Sequence, residues 1–154
     1  MKALSLRPEW AMPVLLGWKT VECRTWQTNY RGDLLICASS KPCVGAIAGH
    51  ALCIVTLNGI EPFGAKHIEP AMLDGMPADS YAWHLSNLRW IEPFAVKGKL
   101  HLFDVPDDLI KEIPDSVCNA EALRTYYEPL IRWSDRSTPE HETREWWADV
   151  VANA

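Results

Sequence analysis

The sequence predicts an α+β fold, a small and mostly antiparallel β-barrel with one early helix and with C-terminal helices packed on it. Roughly five to six strand-like segments occur before residue 106, and they follow one another too closely for repeated β-α-β units. Only one helical pattern lies among them, near the N-terminus, whereas apolar residues recur at helical spacing in the last part of the chain. A length of 154 residues allows one core.

The first elements follow from local patterns. Residues 3–7 alternate apolar and polar side chains, which predicts a strand. Residues 8–17 predict a helix, because a proline at the first position suits its first turn. Pro13 lies inside this helix and should shorten or distort it. Residues 20–26 alternate again, and residues 34–38 form a continuous apolar run that is typical of a fully buried strand.

Three further strands are expected in the middle of the chain. Residues 46–57 look like the longest central strand, which residues 58–59, an Asn-Gly pair, should end with a turn. Residues 81–91 and 97–105 also have strand character. Residues 92–94 contain a proline and are expected to form the loop between these two strands.

The C-terminal part has a different character. We therefore divide the chain into a barrel, residues 1–105, and an acidic helical extension, residues 106–154, that packs on it. Apolar side chains recur at helical spacing over residues 123–131, and residues 137–140 offer a helix cap before a second apolar stripe. The extension carries five Lys and Arg against eleven acidic residues. Its helices are a possible docking surface for a protein partner.

The charge is unevenly distributed. A net charge of −5 has the wrong sign for a protein that coats nucleic acid mainly by neutralising phosphates. Residues 1–41, however, carry six Lys and Arg against three acidic residues. This distribution favours a local basic cleft that takes one nucleotide or a short single strand over a broad duplex-binding surface.

Several classes of protein are not indicated. The five cysteines have no CxxC spacing, and no Walker A, GxGxxG or HExxH motif is present, so we predict no metal site and no cofactor. No apolar run approaches the roughly 20 residues that cross a bilayer, and the N-terminus lacks an apolar signal core. These observations predict a cytoplasmic protein without membrane contact.

One stretch combines cationic, acidic and aromatic residues in an unusual way. On this stretch and the strand before the first helix, the chain resembles the ASCH domain (activating signal cointegrator homology) family of the PUA-like superfamily. The matching positions of the first element are Leu4, Ser5, Arg7, Pro8 and Trp10. Those of the second element are Gly17, Lys19, Thr20, Val21, Glu22, Arg24, Trp26, Thr28, Tyr30, Arg31, Gly32, Leu34, Ile36 and Ala38. Lys97, Gly98 and Lys99 match a later element, and the resemblance covers about residues 1–105.

The resemblance implies a PUA-like β-barrel with a cleft beside its first helix, proposed to bind RNA or nucleotides. One branch of the family is similar to amidohydrolases that remove acyl groups from N4 of cytidine with a Lys, a Thr nucleophile three residues later and a distant Glu. Other members are reported to cleave single-stranded RNA. Lys19 matches the lysine, and Glu22 occupies the position of the nucleophile. Lys19 and Glu22 are therefore the catalytic candidates, with a purely structural ion pair as the alternative.

The binding candidates are Arg7, Trp10, Arg24, Trp26 and Lys97. Arg24 shares a strand face with Glu22, so its guanidinium could bind a base edge or a phosphate, or simply form an ion pair along the strand. Trp10 and Trp26 flank the cationic stretch, where either indole could stack on a base or pack in the core.

We therefore predict a protein that binds a nucleotide, a modified nucleoside or single-stranded RNA in a cationic cleft. Two alternatives stay open. The first is a hydrolase that acts on modified nucleosides or on RNA, with Lys19 and Glu22 as its polar pair. The second is a protein-interaction module in which the C-terminal helices recruit the partner.

Overall fold

The structure, a computed structural model, describes residues 1–154 and contains one six-stranded sheet. The strands are β1 (Lys2–Leu6), β2 (Val21–Arg24), β3 (Gly32–Ala38), β4 (His50–Pro62), β5 (Tyr81–Ala95) and β6 (Leu102–Asp104). They are arranged in the order β2-β5-β4-β3-β1-β6. Four of the five pairings are antiparallel, and only β1 and β3 run parallel. The predicted α+β class is confirmed, with a mixed sheet in which antiparallel pairs predominate.

The sheet forms a curled half-barrel. Strands β2 and β6 are its two edges, and they share no ladder. The two ends of the sheet nevertheless approach each other. Arg24 on the edge strand β2 donates a hydrogen bond from Nη2 to the carbonyl oxygen of Ser5 at 2.9 Å, and Ser5 lies on β1, next to the other edge strand. The ring of Trp26, just after β2, lies 4.7 Å from the ring of His101, just before β6. Side chains rather than strand pairing therefore bridge the open side.

The helices lie at the two ends of the chain. They are α1 (Pro8–Leu15), α2 (Ala120–Ala122) and α3 (Glu140–Ala152). A π-helical turn (Leu123–Tyr127) and a 3₁₀ turn (Glu128–Leu130) continue α2, and further 3₁₀ turns occur at Ala65–His67, Asp107–Leu109 and Asp115–Val117. None of the helices combines the length and the apolar character that crossing a bilayer requires.

Helix α1 keeps its α-helical form despite Pro13, and its end is set by a glycine. Gly17 has φ of +79°, a left-handed conformation that glycine adopts without steric cost. The Gly17 N–H donates to the carbonyl of Val14, and the Trp18 N–H donates to the carbonyl of Pro13. These two bonds form a Schellman motif, which satisfies the last carbonyls of the helix and turns the chain toward β2.

Some predicted boundaries are wrong because the ladder between β4 and β5 tolerates irregularities. Strand β4 begins at His50 and passes through the predicted turn at residues 58–59, where the register shifts between Leu57 and Gly59. Strand β5 likewise continues through the loop predicted at residues 92–94. Such bulges let a strand pass Gly or Pro without ending. The strand predicted over residues 97–105 shrinks to β6.

The main core joins the N-terminal and C-terminal parts of the chain. A cluster of 24 buried residues combines apolar side chains of α1 and the sheet with side chains of the extension. The contributions of the extension are Ile113, Leu123, Tyr127, Ile131, Trp147, Val150 and Val151. The predicted packing of the helices on the sheet is thus visible in the core, while the boundary at residue 105 stays a prediction.

Tyr127 repairs an interruption in the sheet. The register between β4 and β5 shifts between Ala51 and Cys53, which leaves backbone groups of Leu52 and Ile91 without a regular ladder partner. The buried hydroxyl of Tyr127 lies 2.8 Å from the carbonyl oxygen of Ile91 and 2.9 Å from that of Leu52, and it accepts the Ile91 N–H at 3.3 Å. One side chain of the extension therefore satisfies backbone groups of both central strands.

We expect Tyr127→Phe to lower the free energy of unfolding by about 1–3 kcal/mol, because removing the hydroxyl leaves buried backbone groups without a partner while the ring still fills the core. Urea denaturation followed by tryptophan fluorescence measures this difference.

Tyr126→Phe is the matched control. Tyr126 is half-buried, and its hydroxyl has no hydrogen bond within the protein, so the expected change is within about 0.5 kcal/mol. Equal effects of the two variants would show that the Tyr127 hydroxyl does not support the interrupted ladder.

Candidate functional site

A cleft of about 710 Å³ opens beside α1, where β1 and β2 approach each other across the open side of the half-barrel. Three loops complete its wall: residues 39–40 after β3, residues 73–77, and residues 97–100 after β5. The lining residues are Ser5, Leu6, Arg7, Trp10, Lys19, Glu22, Cys23, Arg24, Ser39, Ser40, Leu73, Pro77, Lys97, Gly98, Lys99 and Leu100.

Six of the seven residues singled out from the sequence meet in this cleft. They are Arg7, Trp10, Lys19, Glu22, Arg24 and Lys97. Trp26 is the exception and does not line the cleft. Its indole packs edge-on against Trp83, with ring centroids 4.8 Å apart, and against His101. The half-buried Trp26 therefore bridges the open side of the half-barrel, outside the cleft lining.

Lys19 is held at the inner end of the cleft. Only 1% of its side chain is exposed. Its Nζ donates to the carbonyl oxygen of Ala71 at 2.7 Å and lies 3.4 Å from Oε1 of Glu22. The same Nζ lies 5.1 Å from the ring centroid of Trp10, within the range of a cation–π contact. Burial lowers the pKa of Lys19, and this effect exceeds the opposing attraction of Glu22.

Glu22 links Lys19 to Arg24. Its Oε1 faces the ammonium, and its Oε2 lies 3.0 Å from Nε of Arg24. The Nε–H does not point at that oxygen, so this contact is an ion pair without a hydrogen bond, and the buried Nε–H has no acceptor. Nη2 of Arg24 donates a hydrogen bond to the carbonyl oxygen of Ser5. The three side chains form a row of two cations around one carboxylate, called here the buried charge row.

Local structure fixes the buried charge row. Strand β2 pairs with β5, with Glu22 opposite Trp83 and Arg24 opposite Tyr81. Residues two apart on a strand point to the same side, so the carboxylate and the guanidinium share one face. Lys19 precedes the strand. The N–H groups of the next two residues both donate to the carbonyl of Pro70, which brings Ala71 within reach of the ammonium.

The rim of the cleft carries exposed cations. Arg7 is 62% exposed, and its only acidic neighbour is Glu9 at 3.9 Å. Lys97 and Lys99 are exposed and have no acidic partner within 4.0 Å. Exposed cations without partners keep their donors available for an anionic ligand.

Gly98 allows this rim to form. A Cβ atom at this position would lie 2.8 Å from Cβ of Ser5, closer than two such atoms can approach. Only glycine therefore lets the loop between Lys97 and Lys99 lie directly against β1. This contact brings both lysines to the mouth of the cleft.

Lys99 and the wall formed by Leu73 and Pro77 line the cleft as well, although neither was among the residues predicted from the sequence. The Lys-Gly-Lys sequence of residues 97–99 could have indicated Lys99, because Lys99 lies on the same loop as Lys97. No sequence pattern indicated the wall at residues 73–77. This irregular segment is positioned by contacts between residues that are far apart in the chain, such as the hydrogen bond from Lys19 to Ala71.

The chemistry available in the cleft is anion binding and proton transfer at Lys19. Hydroxyl groups are present on Ser5, Ser39 and Ser40. Thr20, the threonine next to Lys19, is exposed and does not line the cleft. No lining threonine stands three residues after the lysine, where Glu22 is found. The cleft thus lacks the Lys–Thr arrangement of the cytidine amidohydrolases that the sequence resembles in other positions.

Comparisons with known proteins agree with this architecture. The family model of the ASCH domain matches residues 4–95. No curated protein matches the sequence. Among solved structures, the crystal structure of ASCH from Zymomonas mobilis is 17% identical, with a TM-score of 0.56, and the match covers 70% of this chain and 88% of that one.

Two mutant structures of the Zymomonas mobilis protein match in the same way. A serine-to-alanine mutant is 15% identical, with a TM-score of 0.54 and coverage of 71% of this chain and 96% of that one. A tyrosine-to-phenylalanine mutant is 16% identical, with a TM-score of 0.52 and coverage of 70% and 91%. At this identity the structures establish a shared fold, and the family model covers more than half of the chain. The protein belongs to the ASCH domain family.

Proposed function

We propose that the cleft binds a nucleotide or a short single strand of RNA, with phosphate groups against the rim cations Arg7, Lys97 and Lys99. The observation that supports this proposal is the charge of the lining. Five of the sixteen lining residues are Lys or Arg and one is acidic, although the chain as a whole carries −5. A cleft of one sign attracts ligands of the opposite sign even on a protein of unfavourable net charge.

The buried charge row and the rim cations have different uses in this proposal. Glu22 offsets part of the charge of Lys19 and Arg24, and Arg24 is already committed to Ser5. Lys97 and Lys99 have no acidic partner, and Arg7 has only a long contact with the exposed side of Glu9, so the rim cations supply the phosphate contacts. Contacts to the phosphate backbone of RNA do not depend on the RNA sequence. They therefore suit a single strand that lies in an open cleft.

The inner part of the cleft suits a base. Trp10 is half-buried beside Lys19 and offers an aromatic surface for stacking. Glu22 can accept a hydrogen bond from an exocyclic amine, and Arg24 has donors that match carbonyl and ring-nitrogen acceptors. The volume of about 710 Å³ lies within the range of small-molecule sites. In this proposal the half-barrel corresponds to the PUA-like barrel that the family resemblance implies.

A hydrolytic reaction on a modified nucleoside or on RNA is a second candidate function. One observation favours it: Lys19 lines the cleft, and burial lowers its pKa, which makes the neutral, proton-accepting form of its amine easier to reach. Glu22 would then hold the amine in place and stabilise its protonated form.

The binding proposal predicts a change in salt dependence for a Lys97→Ala/Lys99→Ala double variant. Each phosphate contact on a single strand contributes about 0.7 to the slope of log affinity against log salt concentration, so the double variant should lose about 1.4 of that slope and bind more weakly. Fluorescence anisotropy of a labelled single-stranded RNA, titrated at a series of salt concentrations, measures both quantities.

Lys111→Ala is the control, because it removes a similarly exposed cation that pairs with Glu92 and does not line the cleft. Its slope should equal that of the wild type. Absence of saturable RNA binding, or an unchanged slope in the double variant, would count against the proposal.

The lowered pKa of Lys19 predicts a pH-dependent stability difference between the wild type and Lys19→Met. In the folded protein the pKa lies below the ordinary value of about 10.4, so between the two values the unfolded chain binds more protons and the free energy of unfolding rises with pH. The variant lacks this rise. The wild-type free energy minus that of the variant should therefore increase through the lowered pKa and level off above about 10.4.

Urea unfolding at a series of alkaline pH values measures this difference. Other titrating groups cancel because both proteins contain them, and Glu22 keeps Arg24 as a neighbour in both. A difference that stays flat or falls with rising pH would show that burial does not lower the pKa of Lys19.

The hydrolase candidate predicts that the wild type releases cytidine from N4-acetylcytidine or cleaves single-stranded RNA and that Lys19→Met does neither. Chromatography of the products detects both reactions. If the wild type and the variant have equal activity, or if the wild type has none with either substrate, Lys19 is not the base of such a reaction.

A further inference from the structure

A second cluster of titratable side chains lies outside the cleft lining. Glu61 near the end of β4, His67 in the 3₁₀ turn Ala65–His67, and His84 on β5 bring one ligand atom each within 4.8 Å of one another. Nε2 of His84 lies 2.8 Å from Oε2 of Glu61, and Nε2 of His67 lies 3.6 Å from the same oxygen. The three residues are separated by 6 and 17 positions, a spacing that gave no signal in the sequence.

His67 is the feature that points to a ligand. Only 3% of its side chain is exposed, and its Nε2 is buried without a hydrogen-bond partner. The ring is fixed by packing against Phe63, at 5.3 Å between centroids, and against His84, at 5.2 Å. A buried polar atom without a partner carries a free-energy penalty and is uncommon in folded proteins. Here the unpartnered atom faces a carboxylate and a second imidazole.

We propose that Glu61, His67 and His84 bind a divalent transition-metal cation of the Zn²⁺ class. Two imidazoles and one carboxylate are a donor set that such cations favour, and a fourth position stays open for water. With bonds of about 2.0 Å, tetrahedral ligand atoms lie about 3.3 Å apart. The distances of 2.8 and 3.6 Å from Oε2 of Glu61 to the two histidine nitrogens lie on either side of this value.

Binding requires a shift of one proton within His67. The Gly64 N–H donates to Nδ1 of His67 at 2.9 Å, so the neutral ring of the metal-free protein carries its proton on Nε2. A cation at Nε2 takes the place of that proton, and the bound neutral ring carries its proton on Nδ1 instead. The hydrogen bond from Gly64 must then break, so metal binding displaces the turn at residues 64–67. The Gly64 amide is therefore a direct reporter of the event.

The neighbouring lysine leaves the required oxygen free. Nζ of Lys66 lies 3.2 Å from Oε1 of Glu61, whereas both histidines face Oε2. Lys66 is 73% exposed, so it can move away from the cation. The carboxylate can thus bind the metal through Oε2 alone while Lys66 stays near Oε1.

Isothermal titration of the full chain with ZnCl₂ and the absorption spectrum of the Co²⁺ form test the proposal. We expect one cation per chain, a Co²⁺ spectrum typical of low coordination number, and a shift of the Gly64 amide resonance. His84→Ala and Glu61→Gln should each weaken binding at least about tenfold, because each substitution removes one of the side chains bound to the metal. Both residues are partly exposed, so these variants avoid the folding risk of replacing the buried His67.

His141→Ala is the matched control, because His141 is an exposed histidine on α3 far along the chain from the cluster, and its affinity should equal that of the wild type. Absence of one-to-one binding, wild-type affinity in both His84→Ala and Glu61→Gln, or thiolate-to-Co²⁺ absorption from the free cysteines would overturn the assignment. Because these measurements use no nucleic acid, their failure is distinct from failure of RNA binding in the cleft.

Discussion

The architecture of the cleft depends on burying one carboxylate between two cations. Glu22 lies between Lys19 and Arg24, and each cation also binds a backbone carbonyl from elsewhere in the chain: Ala71 for Lys19 and Ser5 for Arg24. Ion pairs removed from water gain little net stability unless further hydrogen bonds satisfy them. The two carbonyls provide those bonds. As a result, the segment that contains Ala71 and the strand β1 are both held next to β2. The charges therefore determine the shape of the cleft as well as its polarity.

The same constraint distinguishes the inner residues of the cleft, whose positions are fixed, from the cations at its rim. A cation held by a carboxylate and a carbonyl cannot move to meet a ligand, and removing its partner leaves an uncompensated buried charge. Arg7, Lys97 and Lys99 are exposed, and Gly98 lets the loop that carries the two lysines lie at the mouth of the cleft. Effects of substituting the inner residues therefore combine loss of contacts with loss of shape, whereas substituting the rim residues changes charge alone.

Local sequence patterns predicted the elements that depend on neighbouring residues. The alternation around Glu22 and Arg24 placed both on one strand face, and the apolar run at residues 34–38 predicted a buried strand. The Asn-Gly pair at 58–59 was misleading, because pairing with β5 outweighs the turn preference of two residues. Trp26 was assigned to the cleft on proximity in sequence, yet its position depends on Trp83 and His101, far away in the chain. No local pattern indicated the cluster of Glu61, His67 and His84 either, because the fold brings these residues together from separate segments.

The C-terminal extension does more than cover the sheet. The family match ends at residue 95, before β6 and all of the extension. Yet Tyr127 supplies a hydroxyl to the two longest strands where their ladder is interrupted, and Trp147 and Val150 belong to the same buried cluster as α1. An interruption inside a central ladder is costly unless something satisfies its backbone groups. The sheet can therefore keep this irregular register because a residue beyond the family segment completes it, which makes the extension part of the structure that positions the cleft.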